Sequence, residues 1–198
     1  MTEVILASRS PRRRDLLDLL GVPHRVVPSG IPESPLPGEV PEETVVRLAS
    51  EKAESVLKEA PPGALVIGAD TVVVLDGEVL GQPRSEWEAR GMLRRLQGRS
   101  HTVLTGLCLL HPPHSPARGL SRSRVTFHPL SEEEIAWYVA TGEPMDKAGA
   151  YAAQGLGAAF LASVEGSFHN VVGFPVDLFY RLLPQAGLSL QALRAARR

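Results

Sequence analysis

The sequence predicts an α/β fold, or an α+β one, built on a mixed sheet. Apolar runs of strand length and amphipathic segments of helical spacing are interleaved along the chain. Hairpin signals interrupt them, as at Asp76-Gly77 between two short apolar runs. Because hairpins give antiparallel pairs, a doubly wound parallel sheet is not expected. The length of 198 residues suits a single domain over residues 1–198 with two lobes, joined near residues 30 and 143.

The first predicted elements are a strand over residues 3–7 and the helix that follows it. Ser10 is the expected N-cap, Pro11 the first helical residue and Gly21 the C-terminal stop. Leucines spaced along this segment provide its apolar face. We therefore expect a short amphipathic helix directly after the first strand.

The remaining elements follow from hydrophobic periodicity and turn signals. Strands are predicted over residues 22–27, 64–68, 72–75, 78–80, 101–111, 121–128 and 158–164. Helices are predicted over residues 42–60, 85–96 and 131–142, and another helix is predicted to begin at Phe174-Pro175. Two of these helices are predicted to begin with capping boxes, formed by Ser85 with Glu88 and by Ser131 with Glu134. Loops are predicted over 28–41 and 166–173, and a weakly helical tail over 188–198.

Composition excludes several functional classes. The formal net charge of −1 does not provide the excess of positive charge that is typical of proteins that bind nucleic acid. The single cysteine, Cys108, excludes an internal disulfide and a cysteine zinc site. No segment approaches 18 apolar residues, and no signal peptide is recognised. We therefore expect a cytoplasmic protein with no membrane partner.

Three consecutive arginines, Arg12, Arg13 and Arg14, occupy the first turn of the predicted first helix. This is the positive end of the helix dipole, where each cation costs about 0.3–1 kcal/mol. Helix N–H groups, guanidinium groups and the hydroxyls of Ser8 and Ser10 together favour a phosphate site. The alternative is a solvated arginine-rich helix end, because three consecutive side chains cannot all face one ligand.

Three further residues are candidates for chemistry. Asp70 follows a buried strand, where a rigid element can present a carboxylate; the alternative is an ordinary turn aspartate. Lys52 leans toward the apolar face of its helix and would need an anionic partner, unless it extends to solvent at the edge of that face. Glu33, in the proline-rich loop, could complete a metal site or be solvated.

Gln154 lies in a glycine-rich loop after an Asp146-Lys147 pair, and its amide can both donate to and accept from a nucleobase edge. The sequence contains no phosphate-loop motif, dinucleotide fingerprint, metalloprotease histidine pair or serine-hydrolase elbow. The residues alone therefore indicate a protein that binds a small phosphorylated ligand, with a metal held by carboxylates.

Five ordered segments resemble the Maf family of nucleoside triphosphate pyrophosphatases over nearly the full length. They are Ala7-Ser8-Arg9-Ser10-Pro11-Arg12-Arg13, Gly68-Ala69-Asp70-Thr71-Val72-Val73, Leu80-Gly81-Gln82-Pro83-Arg84, Asp146-Lys147-Ala148-Gly149-Ala150-Tyr151 and Asn170-Val171-Val172-Gly173-Phe174-Pro175. The resemblance implies a two-lobed mixed-sheet α/β fold with a central cleft, related to inosine triphosphate pyrophosphatases. It also implies hydrolysis of a nucleoside triphosphate to the monophosphate and pyrophosphate, a divalent cation (Mg or Mn) and a homodimer.

The same resemblance assigns roles to individual residues. It implies that Asp70 is the general base and that Asp70 and Glu33 would hold the metal. It implies that the phosphates are contacted by Ser8, Arg13, Lys52 and Lys147. It implies that the base is selected by Arg12, Thr71 and Gln154. These last three resemble the branch that prefers dTTP and UTP over 7-methyl-GTP. Gln82 is also expected to contact substrate, although the family usually has a lysine there. A neutral amide cannot offset phosphate charge.

Two other functions are weighed against this one. A non-catalytic nucleotide-binding regulator of septum formation would release no pyrophosphate from dTTP or UTP with Mg or Mn. A purine house-cleaning enzyme would prefer ITP. Rates on dTTP, UTP, ITP and 7-methyl-GTP distinguish the three.

Overall fold

The computed structural model of the chain describes residues 2–194. The strands are β1 (Val4–Leu6), β2 (Arg25–Val26), β3 (Leu65–Leu75), β4 (Glu78–Leu80), β5 (Ser100–Leu110), β6 (Ala117–Phe127) and β7 (Leu161–Glu165). The helices are α1 (Pro11–Leu19), α2 (Pro41–Leu57), α3 (Glu86–Leu96), α4 (Glu132–Ala140), α5 (Phe168–Val172), α6 (Val176–Leu182) and α7 (Leu190–Arg194). Within these residues, no helix is long and apolar enough to cross a membrane.

The sheet is mixed, which confirms the predicted α/β class. Strand β1 pairs in parallel with both β2 and β3, while β3 pairs with β4, and β6 with β7, in antiparallel fashion. The order is β2-β1-β3-β5-β6-β7, with β4 added to β3. Parallel pairs come from strands joined through helices, and antiparallel pairs include the predicted hairpin.

The chain divides into two compact units, but not at the predicted joints. One unit comprises the described residues of Met1–Asp70, Thr105–Ser121 and Gly173–Arg198, and the other comprises Thr71–Leu104 and Arg122–Val172. The boundaries between the units lie within β3, within β5, within β6 and at the end of α5. The predicted joints near residues 30 and 143 are therefore wrong. The proline and glycine residues near positions 30 and 143 indicate places where the chain reverses direction, and both of these places lie inside a unit and not between units.

Two glycines in the first unit bring helix α2 unusually close to the sheet. A Cβ at Gly68 would collide with the Ala49 carbonyl, and one at Gly106 with that of Val45. Since both carbonyls belong to α2, the helix backbone rests directly on β3 and β5. Side chains of Ala49, Ala53 and Val66 fill the buried core beside this contact. This approach determines where α2 presents its polar side chains.

Several predicted boundaries are wrong, and long-range contacts explain the differences. Residues 65–75 form the single strand β3, so Asp70 lies in its interior rather than at a strand end. The predicted strand 158–164 begins only at Leu161, after a 3-10 turn, Leu156–Phe160. The predicted loop 166–173 contains α5.

Helix ends follow the local signals more closely. Helix α1 begins at Pro11 after Ser10, although the Ser10 side chain makes no capping hydrogen bond. The capping box at Ser131 is confirmed, whereas at Ser85 only the serine half forms. The predicted helical tail is confirmed over α7, and residues 195–198 lie outside the described residues.

The second unit contains a buried aromatic cluster around His101. The His101 ring contacts Phe127 and Tyr151 edge-on, and its Nε2 lies 2.8 Å from the Tyr151 hydroxyl. Within the described part of the chain, its Nδ1 has no hydrogen-bond partner. Burial lowers the pKa of His101 to about 4, because the imidazolium would lose its hydration. The folded protein therefore holds this ring neutral.

Acidification should destabilise the protein through His101. Between pH 6.5 and 4 the unfolded state binds a proton at His101 that the folded state does not. The free energy of unfolding should thus decrease as the pH is lowered, and at pH 5 it should be about 2 kcal/mol smaller than at pH 7. Urea unfolding at both pH values measures this loss, which His101→Phe should largely remove. His128→Gln, at an exposed histidine, should retain it. Equal pH dependence in parent and His101→Phe would contradict the prediction.

Candidate active site

A buried lysine joins two carboxylates in the first unit. Lys52 Nζ lies 2.6 Å from Asp70 Oδ1 and 2.8 Å from Glu33 Oε1. The Lys52 and Asp70 side chains are only 6% and 8% exposed, whereas Glu33 is 58% exposed. This confirms the predicted anionic partner of Lys52. The close approach of α2 to β3 brings the lysine over Asp70, and the proline-rich loop brings Glu33.

Competing effects set the protonation of Asp70. Burial is the largest and raises its pKa, and Glu33 adds to it, while Lys52 and Arg13 favour the charged form. The net result is a pKa above the usual range of an aspartate. A carboxylate with a raised pKa accepts a proton more readily than an ordinary surface aspartate. Such a shift is typical of functional sites, though ion-pair networks produce it too.

Among the three consecutive arginines, only Arg13 is buried. Its Nε donates to the Gly173 carbonyl at 2.8 Å, and its Nη1 donates to Ser8 Oγ at 3.0 Å. Burial lowers the pKa of Arg13, while Asp70 and Glu33 raise it less strongly. Arg14 instead pairs with Asp15 at the surface, at 3.3 Å. The structure therefore brings Ser8 and Arg13 together, and the electrostatic influence of Asp70 and Glu33 reaches Arg13.

Arg47 ties the Glu33 loop to α2, a contact that sequence reasoning missed. Its guanidinium donates to both carboxylate oxygens of Glu39, at 2.6 and 2.7 Å, and to the Ser34 carbonyl at 3.0 Å. The same group bonds Glu51 one helical turn on. Arg47 lowers the pKa of Glu39 to about 2. Only the Arg47–Glu51 spacing was visible in the sequence. The loop residue next to Glu33 is thus anchored to the helix that carries Lys52.

The second unit brings Gln82 and Lys147 into neighbouring segments. Gln82 Nε2 donates to the Asp146 carbonyl at 3.1 Å. Lys147 Nζ donates to the Glu143 carbonyl at 2.6 Å and to the Asp146 carboxylate. Arg84, which could have replaced the lysine expected at position 82, is 90% exposed and pairs with Glu88.

The residues predicted to read the base are placed on three elements. Arg12 is half-buried in the first turn of α1, and Thr71 follows Asp70 within β3. Gln154 is exposed in the loop before the 3-10 turn. The shared role of these three residues in base selection stays a prediction.

The carboxylates of Glu33 and Asp70 offer oxygen ligands of the kind that Mg²⁺ prefers. In this structure both carboxylates flank the ammonium group of Lys52. Among residues 2–194 no three histidine, cysteine, aspartate or glutamate side chains cluster as metal ligands. Mg²⁺ is commonly held by one or two carboxylates together with substrate phosphates, so two carboxylates suffice.

Comparison with known proteins identifies the family. The model of the family described as Maf-like protein matches residues 3–186. The chain belongs to the Maf family. A relative named dTTP/UTP pyrophosphatase, from Anaeromyxobacter sp. (strain Fw109-5), is 52% identical over 93% of this chain and 89% of its own. Another of that name, from Symbiobacterium thermophilum, is 49% identical over 94% and 95%.

Among solved structures, a HAM1 protein from Coxiella burnetii matches 98% of both chains with a TM-score of 0.44 and 14% identity. Family membership confirms the resemblance stated from the five sequence segments. Ser8, Arg13 and Asp70 all lie within the matched residues. The roles of the individual site residues stay predictions, and so does the central cleft.

Proposed function

We propose that this Maf-family enzyme hydrolyses dTTP and UTP to the nucleoside monophosphate and pyrophosphate. The observation that carries the proposal is the buried Asp70 carboxylate, paired with Lys52 and influenced electrostatically by Arg13 and Glu33. This combination offers a proton acceptor beside cations suited to phosphate. The names of relatives about 50% identical support the substrate class.

Asp70 serves as the general base in the proposed reaction. It accepts a proton from a water molecule whose oxygen forms a bond to the α-phosphorus, while the bond from that phosphorus to the bridging oxygen breaks and pyrophosphate leaves. Ser8, Arg13, Lys52 and Lys147 bind the phosphates and offset their charge. Glu33 and Asp70 would hold a Mg or Mn ion, whose chemistry is the neutralisation of phosphate charge.

The three residues Arg12, Thr71 and Gln154 select the base. Guanidinium and amide groups donate hydrogen bonds that suit the carbonyl oxygens of thymine and uracil, and the amide also accepts. A homodimer and a cytoplasmic location belong to the same proposal. Sedimentation at micromolar concentration tests the dimer, and loss of activity on chelation tests the metal.

A substrate panel tests the proposed function directly. Pyrophosphate release is measured on dTTP, UTP, ITP and 7-methyl-GTP with Mg or Mn. We expect the highest kcat/KM on dTTP and UTP. Binding of dTTP without any release of pyrophosphate would favour the septum regulator instead. A preference for ITP would favour the purine house-cleaning enzyme.

Gln82→Lys should raise kcat/KM on dTTP about fivefold. A charge-assisted contact to phosphate is worth about 1.5–3 kcal/mol, against about 0.5–1.5 for a neutral amide. Steady-state kinetics of this variant and of Arg84→Ala decide whether Arg84 already supplies the charge. In that case Arg84→Ala is the damaging change. If neither variant alters kcat/KM more than twofold, this segment does not contact the phosphates.

A further inference from the structure

Two side chains of the second unit accept hydrogen bonds from the main chain before and after Gln154. Before it, the Ala152 N–H donates to the Tyr138 hydroxyl at 3.0 Å. After it, the N–H groups of Leu156 and Gly157 each donate to one Glu143 carboxylate oxygen, at 3.0 Å. These two side chains therefore bracket residues 152–157, and we call Tyr138 and Glu143 the loop clamp.

The charges of the loop clamp suit its hydrogen bonds. Tyr138 is fully buried, and burial raises the pKa of its phenol, so the hydroxyl stays neutral and its oxygen accepts from the Ala152 N–H. Partial burial acts to raise the pKa of Glu143, but the hydrogen bonds from the Gly157 and Leu156 N–H groups counteract it, and the net pKa is lowered. The carboxylate is thus ionised, and each of its oxygens accepts from one backbone N–H.

The backbone is shaped to lie against the loop clamp. Gly155 has φ 147°, and a Cβ there would collide with the Glu143 carboxylate. A Cβ at Gly157 would lie 2.6 Å from the Tyr138 hydroxyl. Only glycine permits both contacts, so the main chain on the C-terminal side of Gln154 is held while the Gln154 side chain remains exposed. The Glu143 carbonyl meanwhile accepts from Lys147.

We infer that Tyr138 and Glu143 are positioning residues for base selection, because they hold the Gln154 segment in one conformation. The inference rests on the proposed role of Gln154 as a base reader. A loop that is ordered before substrate arrives loses less conformational entropy on binding. Loss of the clamp should therefore weaken recognition of the preferred base and leave the chemical step intact.

The test uses Tyr138→Phe, which removes one oxygen, and Glu143→Gln, which removes charge and one strong acceptor. The ratio of kcat/KM for dTTP to that for ITP should fall about three- to tenfold in each, the value of one to two hydrogen bonds. The fall should come from KM for dTTP, with kcat within twofold. Hydrogen exchange at the amides of Ala152, Leu156 and Gly157 should accelerate. Tyr180→Phe and Glu133→Gln, at exposed positions, are matched controls and should change nothing.

Gln154→Ala separates the proposed role of Gln154 as a base reader from the inferred role of the loop clamp. If this variant lowers the dTTP to ITP ratio and the clamp variants do not, the positioning inference is overturned and the base reader stands. If Gln154→Ala leaves the ratio unchanged in an enzyme that hydrolyses dTTP, the base reader is wrong and the inference fails with it. A uniform loss of kcat on both substrates, with the ratio preserved, shows a purely structural role and also overturns the inference.

Discussion

Asp70→Asn is expected to reduce kcat for dTTP by about 10²–10⁴-fold, the usual cost of losing a general base. The amide has nearly the shape of the carboxylate but cannot accept a proton from water. The loss should not come from unfolding. Because burial raises the pKa of Asp70 in the folded state, the ionised carboxylate disfavours folding at neutral pH. A neutral amide removes that penalty, and Lys52 keeps its pair with Glu33.

Pyrophosphate release and urea unfolding of the same preparation check this prediction together. The unfolding free energy at pH 7 should stay close enough to that of the parent for the variant to be fully folded in the assay. Asp177→Asn, at a surface carboxylate paired with Arg181, is the control and should retain activity. Turnover of Asp70→Asn within a few-fold of the parent would remove Asp70 from the role of base.

Lys52→Met is expected to lower kcat/KM about 10- to 100-fold and to destabilise the protein. The variant leaves Asp70 without the ammonium at 2.6 Å that favours its charged form. Breaking a buried ion pair at one partner costs about 3–5 kcal/mol, and losing a charge-assisted phosphate contact accounts for the loss of kcat/KM. The pKa of Asp70 should rise further, so that the acid limb of the rate profile moves to higher pH.

Measuring kcat from pH 5 to 9 separates this electrostatic effect from simple damage to the fold. Lys58→Met is a control on an exposed residue at the end of the same helix. An unshifted acid limb in a folded Lys52→Met enzyme would show that Lys52 does not control the protonation of Asp70.

Features with local causes were predictable from the sequence. The start of α1 at Pro11 and the capping box at Ser131 depend on residues within four positions of each other. The hairpin at Asp76-Gly77 likewise needs only its own turn residues and flanking strands. Helical periodicity was enough to place Lys52 near the buried face of α2 and to predict an anionic partner.

Features with distant causes were not predictable. The continuity of β3 through Asp70 reflects pairing with β1 and β4, strands more than 60 residues apart in the chain. The 3-10 turn that delays β7 forms where Glu143 binds the N–H groups of Leu156 and Gly157. Neither the contact of Arg47 with Glu39 nor the His101–Tyr151 pair has a periodic signal.

The sequence by itself determined the mixed α/β class, most element starts, the family and the residue types available for phosphate chemistry. Those properties depend on composition, periodicity and short motifs, which a linear chain displays directly. Only the tertiary structure decided that Asp70, Lys52 and Glu33 form one ionic cluster and that the loop clamp brackets Gln154. Such groupings arise when burial and close backbone approach bring distant polar groups together, because a buried charge or carbonyl must find a partner wherever the fold supplies one.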